Sequence, residues 1–333
     1  MLLIDALYIN NSGGLTLLHY LIDEIEKRQN DVFYLIDCRC ASLFHDIPNN
    51  RKCILKASLF NRYRWYRKHC IGYDKVLCFG NVPPQIKIKA QVYTYFHNIN
   101  LLNIPNTEPL KVKIASRLKR FIFYILKQNT DYWIVQTSNT QYELINHLHE
   151  IPDRVKVLPF YNIVGSYQEG NSNRDGYIYA SNYTSQKNFE FIVDAWGRLA
   201  ELGLTPTLHL TLSYVPQKLL YKIDSANEKG AQIINHGHLN PDELFMLYRK
   251  TKAIVYAATN ESLGLCLIEA MENGCDIIAP DLPYVYCVCK PSYTFTLFSI
   301  DSFINALLKY ETKPNVTTNL AMNRLDELLH LLM

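Results

Sequence analysis

No stretch of the 333-residue chain reaches the ~18 consecutive apolar residues that a membrane-spanning helix needs; the longest candidate, FIFYIL at 121–126, is far shorter. The opening MLLIDALYIN has no basic leader and carries Asp5 inside its apolar run, so it reads as a first strand and not as a signal peptide. Excess charge is also missing. The 34 basic and 31 acidic residues leave a net charge of +3, too mild a balance to point to nucleic acid. The nine cysteines are odd in number, and their two C-x-C pairs, Cys38/Cys40 and Cys287/Cys289, lack the C-x2-C spacing of zinc and redox sites. Reduced, mostly buried thiols in a reducing cytosol fit them. There is no G-x-G-x-x-G, which argues against a dinucleotide oxidoreductase, and no D-x-D that would hold a metal. Internal repeats and low-complexity tracts are absent too.

What remains is an ordinary globular composition, 48% apolar and 20% charged, with 24 tyrosines. A chain of this length points to two domains, because single cores rarely grow past about 250–300 residues. Short apolar runs at 2–9, 32–36, 75–79, 91–96 and 132–136 predict strands, separated by stretches of helical periodicity such as 15–28. That alternation is the pattern of βαβ units and parallel sheets. The segment 161–176, rich in Asn, Ser and Gly, breaks the rhythm and reads as a linker. A second series begins with a strand at 177–181 and a helix at 189–202, with Phe189, Ile192, Val193, Trp196, Leu199 and Ala200 at helical spacing. Strands at 207–213, 231–234, 253–258 and 276–279 follow, and a last helix is expected over 317–332. The division predicted is a first α/β domain over 1–160, a second over 177–315, and a terminal segment, 316–333, packing back on the first.

The stretch NESLGLCLIEAMENGCDIIAP at 260–280 sets Glu261 and Glu269 eight positions apart, with Gly264 between them. A strand over 253–258, a loop over 259–264 and a helix over 265–273 place Glu261 at the carboxyl edge of a parallel sheet, where open α/β folds bind ligands. Gly274 would end that helix. The first-turn amides of the helix make a setting suited to phosphate. Glu269, about a turn and a half further in, could reach the vicinal hydroxyls of a ribose. The spacing alone is also met by ordinary helix glutamates, because Glu is common in first turns.

Two basic aromatic stretches lie in the first half, NRYRWYRKHC at 61–70 and KVKIASRLKRFIFYILKQ at 111–128. In the second, Ile114, Leu118, Phe121, Ile122 and Ile125 share one helical face, with Lys111, Lys113, Arg117, Lys119 and Arg120 elsewhere. Such a helix suits an anionic membrane surface, with Arg64, Arg67, Lys119 and Arg120 as the contacting cations. A core helix with a solvated basic back fits the same pattern. No nucleic-acid recognition motif accompanies the charges.

The 260–280 block as a whole runs strand, Glu, small residue, Gly, helix with a second Glu before Ala, Gly, strand, Pro. It resembles the E-x7-E motif of retaining glycosyltransferases of family 4, whose usual form is close to E-G-F-G-x-x-x-x-E-A. Here it reads ESLGLCLIEA, so Ser262 and Leu263 replace the commoner Gly and Phe, while Gly264 and both glutamates are kept. The resemblance implies the GT-B fold, two Rossmann-like α/β domains facing each other across a cleft. It also implies transfer of a sugar, with retention, from a nucleotide-diphosphate sugar to an acceptor hydroxyl. The family's Gly-rich loop after the first strand corresponds to NNSGGLT at 10–16, with Gly13 and Gly14. Its mid-domain histidine corresponds to His97 in YTYFHNIN. Its Arg and Lys, five residues apart on the donor diphosphate, correspond to Asn182 and Lys187 in IYASNYTSQKNFEFIVDAW, so the arginine is missing. Gly237 and His238, in NHGHLNPDELFMLYRKTKAIV, would lie near the nucleobase.

On this resemblance Glu261 and His97 are the catalytic candidates. The donor would be held by Gly13, Gly14, Asn182, Lys187, Gly237, His238, Ser262, Leu263, Gly264, Leu265 and Glu269. The acidic residue often found after the motif is absent, with Cys287 or Val288 in its place. The implied reaction needs no metal and no cofactor beyond the nucleotide-diphosphate sugar as donor substrate. The implied acceptor is a saccharide, polyprenyl-linked in many bacterial relatives that build O-antigen or capsule. The expected location is the cytoplasm, at the inner face of the plasma membrane. The substitution at Asn182 and the altered E-S-L-G keep a second reading open, a non-catalytic GT-B protein that binds a nucleotide sugar or a partner without turnover.

Overall fold

A computed structural model describes residues 1–10, 12–28, 31–102, 110–162 and 174–333. Most of the expected linker, 163–173, lies outside the described residues. The chain divides into two compact units, Met1–Asn162 with Met322–Met333, and Ile163–Ala321.

The first unit is built from β1 (Leu2–Asp5), α1 (Ser12–Lys27), β2 (Val32–Asp37), β3 (Lys52–Leu55), α2 (Leu59–His69), β4 (Lys75–Cys78), β5 (Gln91–Phe96), α3 (Leu110–Leu126), β6 (Tyr132–Val135), α4 (Ser138–Leu148) and β7 (Val155–Val157). Its seven strands are all parallel, in the order β3-β2-β1-β4-β5-β6-β7. Strands covered by helices on both faces must be apolar nearly throughout, and every residue of β1, LLID, is buried. Asp5 is tolerated there because Arg62 Nε donates to its Oδ2 at 2.7 Å and Tyr66 Oη donates to the same oxygen at 2.7 Å.

The second unit contains β8 (Tyr177–Tyr179), α5 (Phe189–Glu201), β9 (Thr207–Leu210), α6 (Gln217–Glu228), β10 (Gln232–Asn235), α7 (Pro241–Lys250), β11 (Ala253–Val255), α8 (Leu265–Glu272), β12 (Asp276–Pro280), α9 (Pro283–Tyr286), β13 (Cys289–Lys290), β14 (Tyr293–Phe295), α10 (Ile300–Thr312) and β15 (Thr318–Asn319). Six of its strands form a second parallel sheet, β10-β9-β8-β11-β12-β14. Both sheets therefore wind the same way: the chain moves outward from a central strand, returns, and continues on the other side. The reversal falls between β1 and β4 in one sheet and between β8 and β11 in the other. Such a switch point opens a crevice at the carboxyl ends of the two strands, because the loops leaving them diverge.

Several expected boundaries move. The last helix, α11 (Leu325–Leu332), starts eight residues later than expected, because Thr318–Asn319 instead pairs antiparallel with β13. It belongs to the first unit: Lys75 Nζ donates to Leu331 O at 2.9 Å, Arg324 N donates to Pro159 O at 2.7 Å, and Leu325, Leu328, Leu329 and Leu332 are buried. Strands β3, β7 and β14 are new. Each lies at a sheet edge, is only three or four residues long and is partly exposed, so it lacks the continuous apolar run of a central strand. The runs at 2–9 and 253–258 leave the ladder early, at Asp5 and Val255, although Ala6, Leu7, Tyr256, Ala257 and Ala258 stay buried.

The basic stretch at 61–70 is not one solvated face. Arg64, Arg67 and Lys68 are exposed, but Arg62, Trp65 and Tyr66 point into the core. Arg62 is fully enclosed by Asp5, the carbonyls of Val82 and Pro83, and Cys78 Sγ.

Candidate functional site

In the second unit the switch point is formed by the loops after β8 and β11. The first loop ends in a 3-10 turn, Ser185–Lys187, followed by Asn188 in the left-handed region, φ 51°. Asn188 stitches the two loops together: its Nδ2 donates to Ala257 O at 2.7 Å and to Thr259 Oγ1 at 3.0 Å, while Thr259 N donates to Gln186 O at 2.9 Å. Tyr179 Oη donates to the carbonyl of Lys187. The side chain of Lys187 is thereby aimed at the second loop, where its Nζ pairs with Glu261 Oε1 and donates to Tyr256 Oη at 2.6 Å. Tyr256 Oη in turn donates to Glu261 Oε1 at 2.8 Å. Both charged side chains are about four-fifths buried, at 17% and 20% exposed.

Gly264, at φ +74°, turns the second loop into α8 in a conformation that L side chains rarely adopt. The first amides of α8 have no acceptor within the helix and add a partial positive charge near Lys187 and Glu261. Ser262, Leu263 and Gly264 are buried in this turn, and Leu265 is half-buried. Glu269 lies further along α8. Its carboxylate has no hydrogen bond or ion pair among the described residues, and although part of its surface stays open it is largely surrounded by protein. Desolvation, with a smaller contribution from Glu272, pushes its pKa up to about 7. The neighbouring Tyr248 Oη is buried without a partner among the described residues. Arg174 caps the end of α8, its Nη2 donating to Asn273 O at 3.0 Å.

Gly237, at φ +73°, and the exposed His238 follow β10. Asn235 fixes that loop: its Oδ1 accepts from Leu212 N at 2.9 Å and from Gly237 N at 3.3 Å. Asn182 is exposed in the loop after β8.

In the first unit, Gly13 and Gly14 open α1 and do not form a loop, because the helix begins at Ser12. Gly14 abuts His97; a Cβ there would stand 3.1 Å from His97 Nε2. His97 follows β5. Its backbone N donates to Asn81 Oδ1 at 2.8 Å, and its ring lies 5.4 Å from that of Phe79 and 5.5 Å from that of Tyr95. Nδ1 is buried with no partner among the described residues, and desolvation lowers the imidazole pKa to about 4. His97 is therefore neutral at pH 7.

Of the basic candidates, Arg64 and Arg67 are exposed on α2, with Arg64 stacked over Phe60 at 5.6 Å. Arg120 is half-buried, its Nε enclosed without a partner among the described residues. The side chain of Lys119 lies outside the described residues. On α3 the apolar stripe faces solvent: Ile114, Leu118, Phe121 and Ile125 are exposed, Phe121 by 61%, while Phe123 and Leu126 supply the buried face.

The model of the family described as glycosyl transferases group 1 matches residues 168–323, the part of the chain that carries Lys187, Glu261 and Glu269. Solved structures resemble both units. Anabaena HepE, in complex with UDP and glucose, aligns with a TM-score of 0.66 at 13% identity, over 99% of this chain and 95% of that one. The fold is GT-B. WaaG, described as a glycosyltransferase involved in lipopolysaccharide biosynthesis, aligns with a TM-score of 0.66 at 13% identity, covering 94% of this chain and 91% of its own. S. aureus TarM, in complex with fondaparinux, alpha-GlcNAc-glycerol and UDP, aligns with a TM-score of 0.62 at 15% identity over 78% of this chain. The chain spans about half of TarM's length, 53%. Comparison with curated protein sequences finds no match.

Three residues around the Lys187–Glu261 pair escape a reading by motif. Tyr256, Tyr179 and Asn188 make the contacts that aim Lys187 and Glu261. Tyr256 had one available signal, a phenol in the otherwise aliphatic run AIVYAA at the carboxyl edge of a strand.

Proposed function

We propose that the protein is a retaining glycosyltransferase that moves a sugar from a nucleotide-diphosphate sugar to a hydroxyl of a saccharide acceptor. The observation that carries this reading is the Lys187–Glu261 pair, assembled at the switch point of the sheet within the segment matched by the family model. Breaking the glycosidic bond develops negative charge on the departing diphosphate and positive charge on the sugar. Lys187 and the amides at the start of α8 stabilise the diphosphate. Glu261 orients the sugar hydroxyls beside the anomeric carbon. Glu269, with its unpaired carboxylate, accepts from the ribose hydroxyls. Attack from the same face as the leaving group, with a phosphate oxygen taking the acceptor proton, gives retention, and no metal is required. The UDP complexes of HepE and TarM support a nucleotide donor for this chain.

The acceptor we infer is lipid-linked, as in assembly of O-antigen or capsule at the inner face of the plasma membrane. Its support is the exposed apolar stripe of α3 beside Arg117, with further exposed cations on α2. No helix among the described residues is long and apolar enough to cross a membrane. A panel of nucleotide sugars tested by thermal shift, followed by single-turnover assays with the donors that bind, tests the function. Release of nucleoside diphosphate coupled to a new glycoside supports it. Donor binding without release or hydrolysis supports a non-catalytic binding module, the reading favoured by Asn182 in place of an arginine.

A further inference from the structure

The function just proposed employs Lys187 and Glu261 but gives no task to the group that joins them. Tyr256 is fully buried, yet its hydroxyl makes two polar contacts, accepting from Lys187 Nζ at 2.6 Å and donating to Glu261 Oε1 at 2.8 Å. Its ring is held edge-on by Tyr179, centroids 5.4 Å apart at 76°, and by Tyr284, 6.4 Å apart at 67°. The same two tyrosines pin the backbone on either side: Tyr179 Oη donates to Lys187 O, and Tyr284 Oη donates to Ala258 O at 2.7 Å. The Tyr256 hydroxyl is thus placed by packing and by the flanking backbone, independently of the charges it bridges.

We propose that Tyr256 is a positioning residue that keeps Glu261 hydrogen-bonded and oriented when an incoming nucleoside diphosphate draws Lys187 away from it. The proposal rests on the function given above. In the free protein Lys187 serves Glu261. A diphosphate carries more negative charge than one carboxylate and competes for the same ammonium. When Lys187 moves to it, the largely buried Glu261 loses its counter-ion, and a buried acceptor left without a donor is costly. The Tyr256 hydroxyl supplies the remaining donor. Burial pushes its pKa well above the ordinary phenol value, so it stays protonated and able to donate. It also limits where the Glu261 carboxylate can turn.

The test is a double-mutant cycle read by calorimetry on the full chain. The probe is whichever of UDP, GDP, ADP and CDP binds the wild-type protein most tightly. Tyr256→Phe keeps the ring and its edge-on contacts and removes only the hydroxyl. It is expected to weaken binding about 10-fold or more. In the Glu261→Gln background, where no carboxylate is left stranded, the same substitution is expected to cost less than about 3-fold, because neutral hydrogen bonds contribute little net. Equal losses in both backgrounds would mean that the Tyr256 hydroxyl acts independently of the Glu261 charge, and no loss in either would mean that Glu261 needs no second donor; each result overturns the proposal. If Tyr256→Phe does not fold, Tyr256→Leu is put through the same cycle. Failure of the wild-type protein to bind any of the four probes overturns the underlying function and the proposal with it, and is distinguishable from the other results because the first titration alone reveals it.

Discussion

Lys187 and Glu261, 74 positions apart in the chain, meet as an ion pair at the carboxyl edge of the second sheet. The pairing follows from the strand order, which sets β8 beside β11, and from Asn188, whose side chain ties the loops together. A cation and a carboxylate held at a switch point, next to a helix start, can serve a ligand that carries both phosphate and hydroxyl groups.

Lys187→Ala should remove the one fixed cation that the family motif places on the diphosphate, since the other position is Asn182. Loss of such a contact from a charge-developing step costs on the order of 10²-fold in kcat/KM. Steady-state kinetics with the best donor check this, and wild-type values in the variant would show that Lys187 does not touch the phosphates.

Glu269→Ala should weaken donor binding by roughly 10- to 150-fold, the value of a charged hydrogen bond of about 1.5–3 kcal/mol. A pH dependence accompanies it. With a pKa near 7 in the free protein, Glu269 is protonated in part at neutral pH, and a ribose hydroxyl donating to it favours the ionised form. Affinity should therefore rise between pH 6 and pH 8, and the change attributable to this group should vanish in Glu269→Gln. Calorimetry across that range, wild type against variant, reads the difference.

His97 has a folded-state pKa of about 4 against an ordinary value of 6.5. The unfolded chain therefore binds a proton that the folded chain refuses. Stability is complete above pH 6.5 and falls as pH drops toward 4, by up to about 3 kcal/mol for this group. In His97→Asn, acid unfolding followed by tryptophan fluorescence should be shallower through that window. An unchanged slope would show that the imidazole is solvated.

The first unit should bind anionic vesicles. Each Lys or Arg near such a surface contributes about 1 kcal/mol, and the contribution is screened by salt. Co-sedimentation with phosphatidylglycerol vesicles should fall at high salt and in the variant carrying Arg64→Glu, Arg67→Glu, Lys119→Glu and Arg120→Glu. Phe121→Ser tests the apolar stripe separately. Equal binding to neutral and anionic vesicles would show that the cations take no part, and no binding to either would point to a soluble acceptor.

Much of the second unit was legible because its signals are local. A strand, a glycine at positive φ, a short helix and a closing glycine follow one another within residues 253–280, and the structure keeps that order. Three edge strands, β3, β7 and β14, were not legible, since a three-residue strand such as Val155–Val157 buries too little to leave a pattern. The roles of Tyr256 and Asn188 were hidden for another reason: the partners through which they join the two loops, Lys187 and Ala257, lie 69 positions away in the chain. Arg62 was read with its basic neighbours, although its partner, Asp5, is 57 positions distant in a buried strand. On α3, periodicity identified one apolar face but could not tell whether it points inward or to solvent.

Transfer of a sugar from a nucleotide donor is tested by a single-turnover reaction with donor labelled in the sugar. Label should appear in a glycoside with the anomeric configuration of the donor, one nucleoside diphosphate should be released per sugar transferred, and Lys187→Ala should slow both together. Tight donor binding with neither release nor transfer, or a glycoside of inverted configuration, would contradict the proposed function.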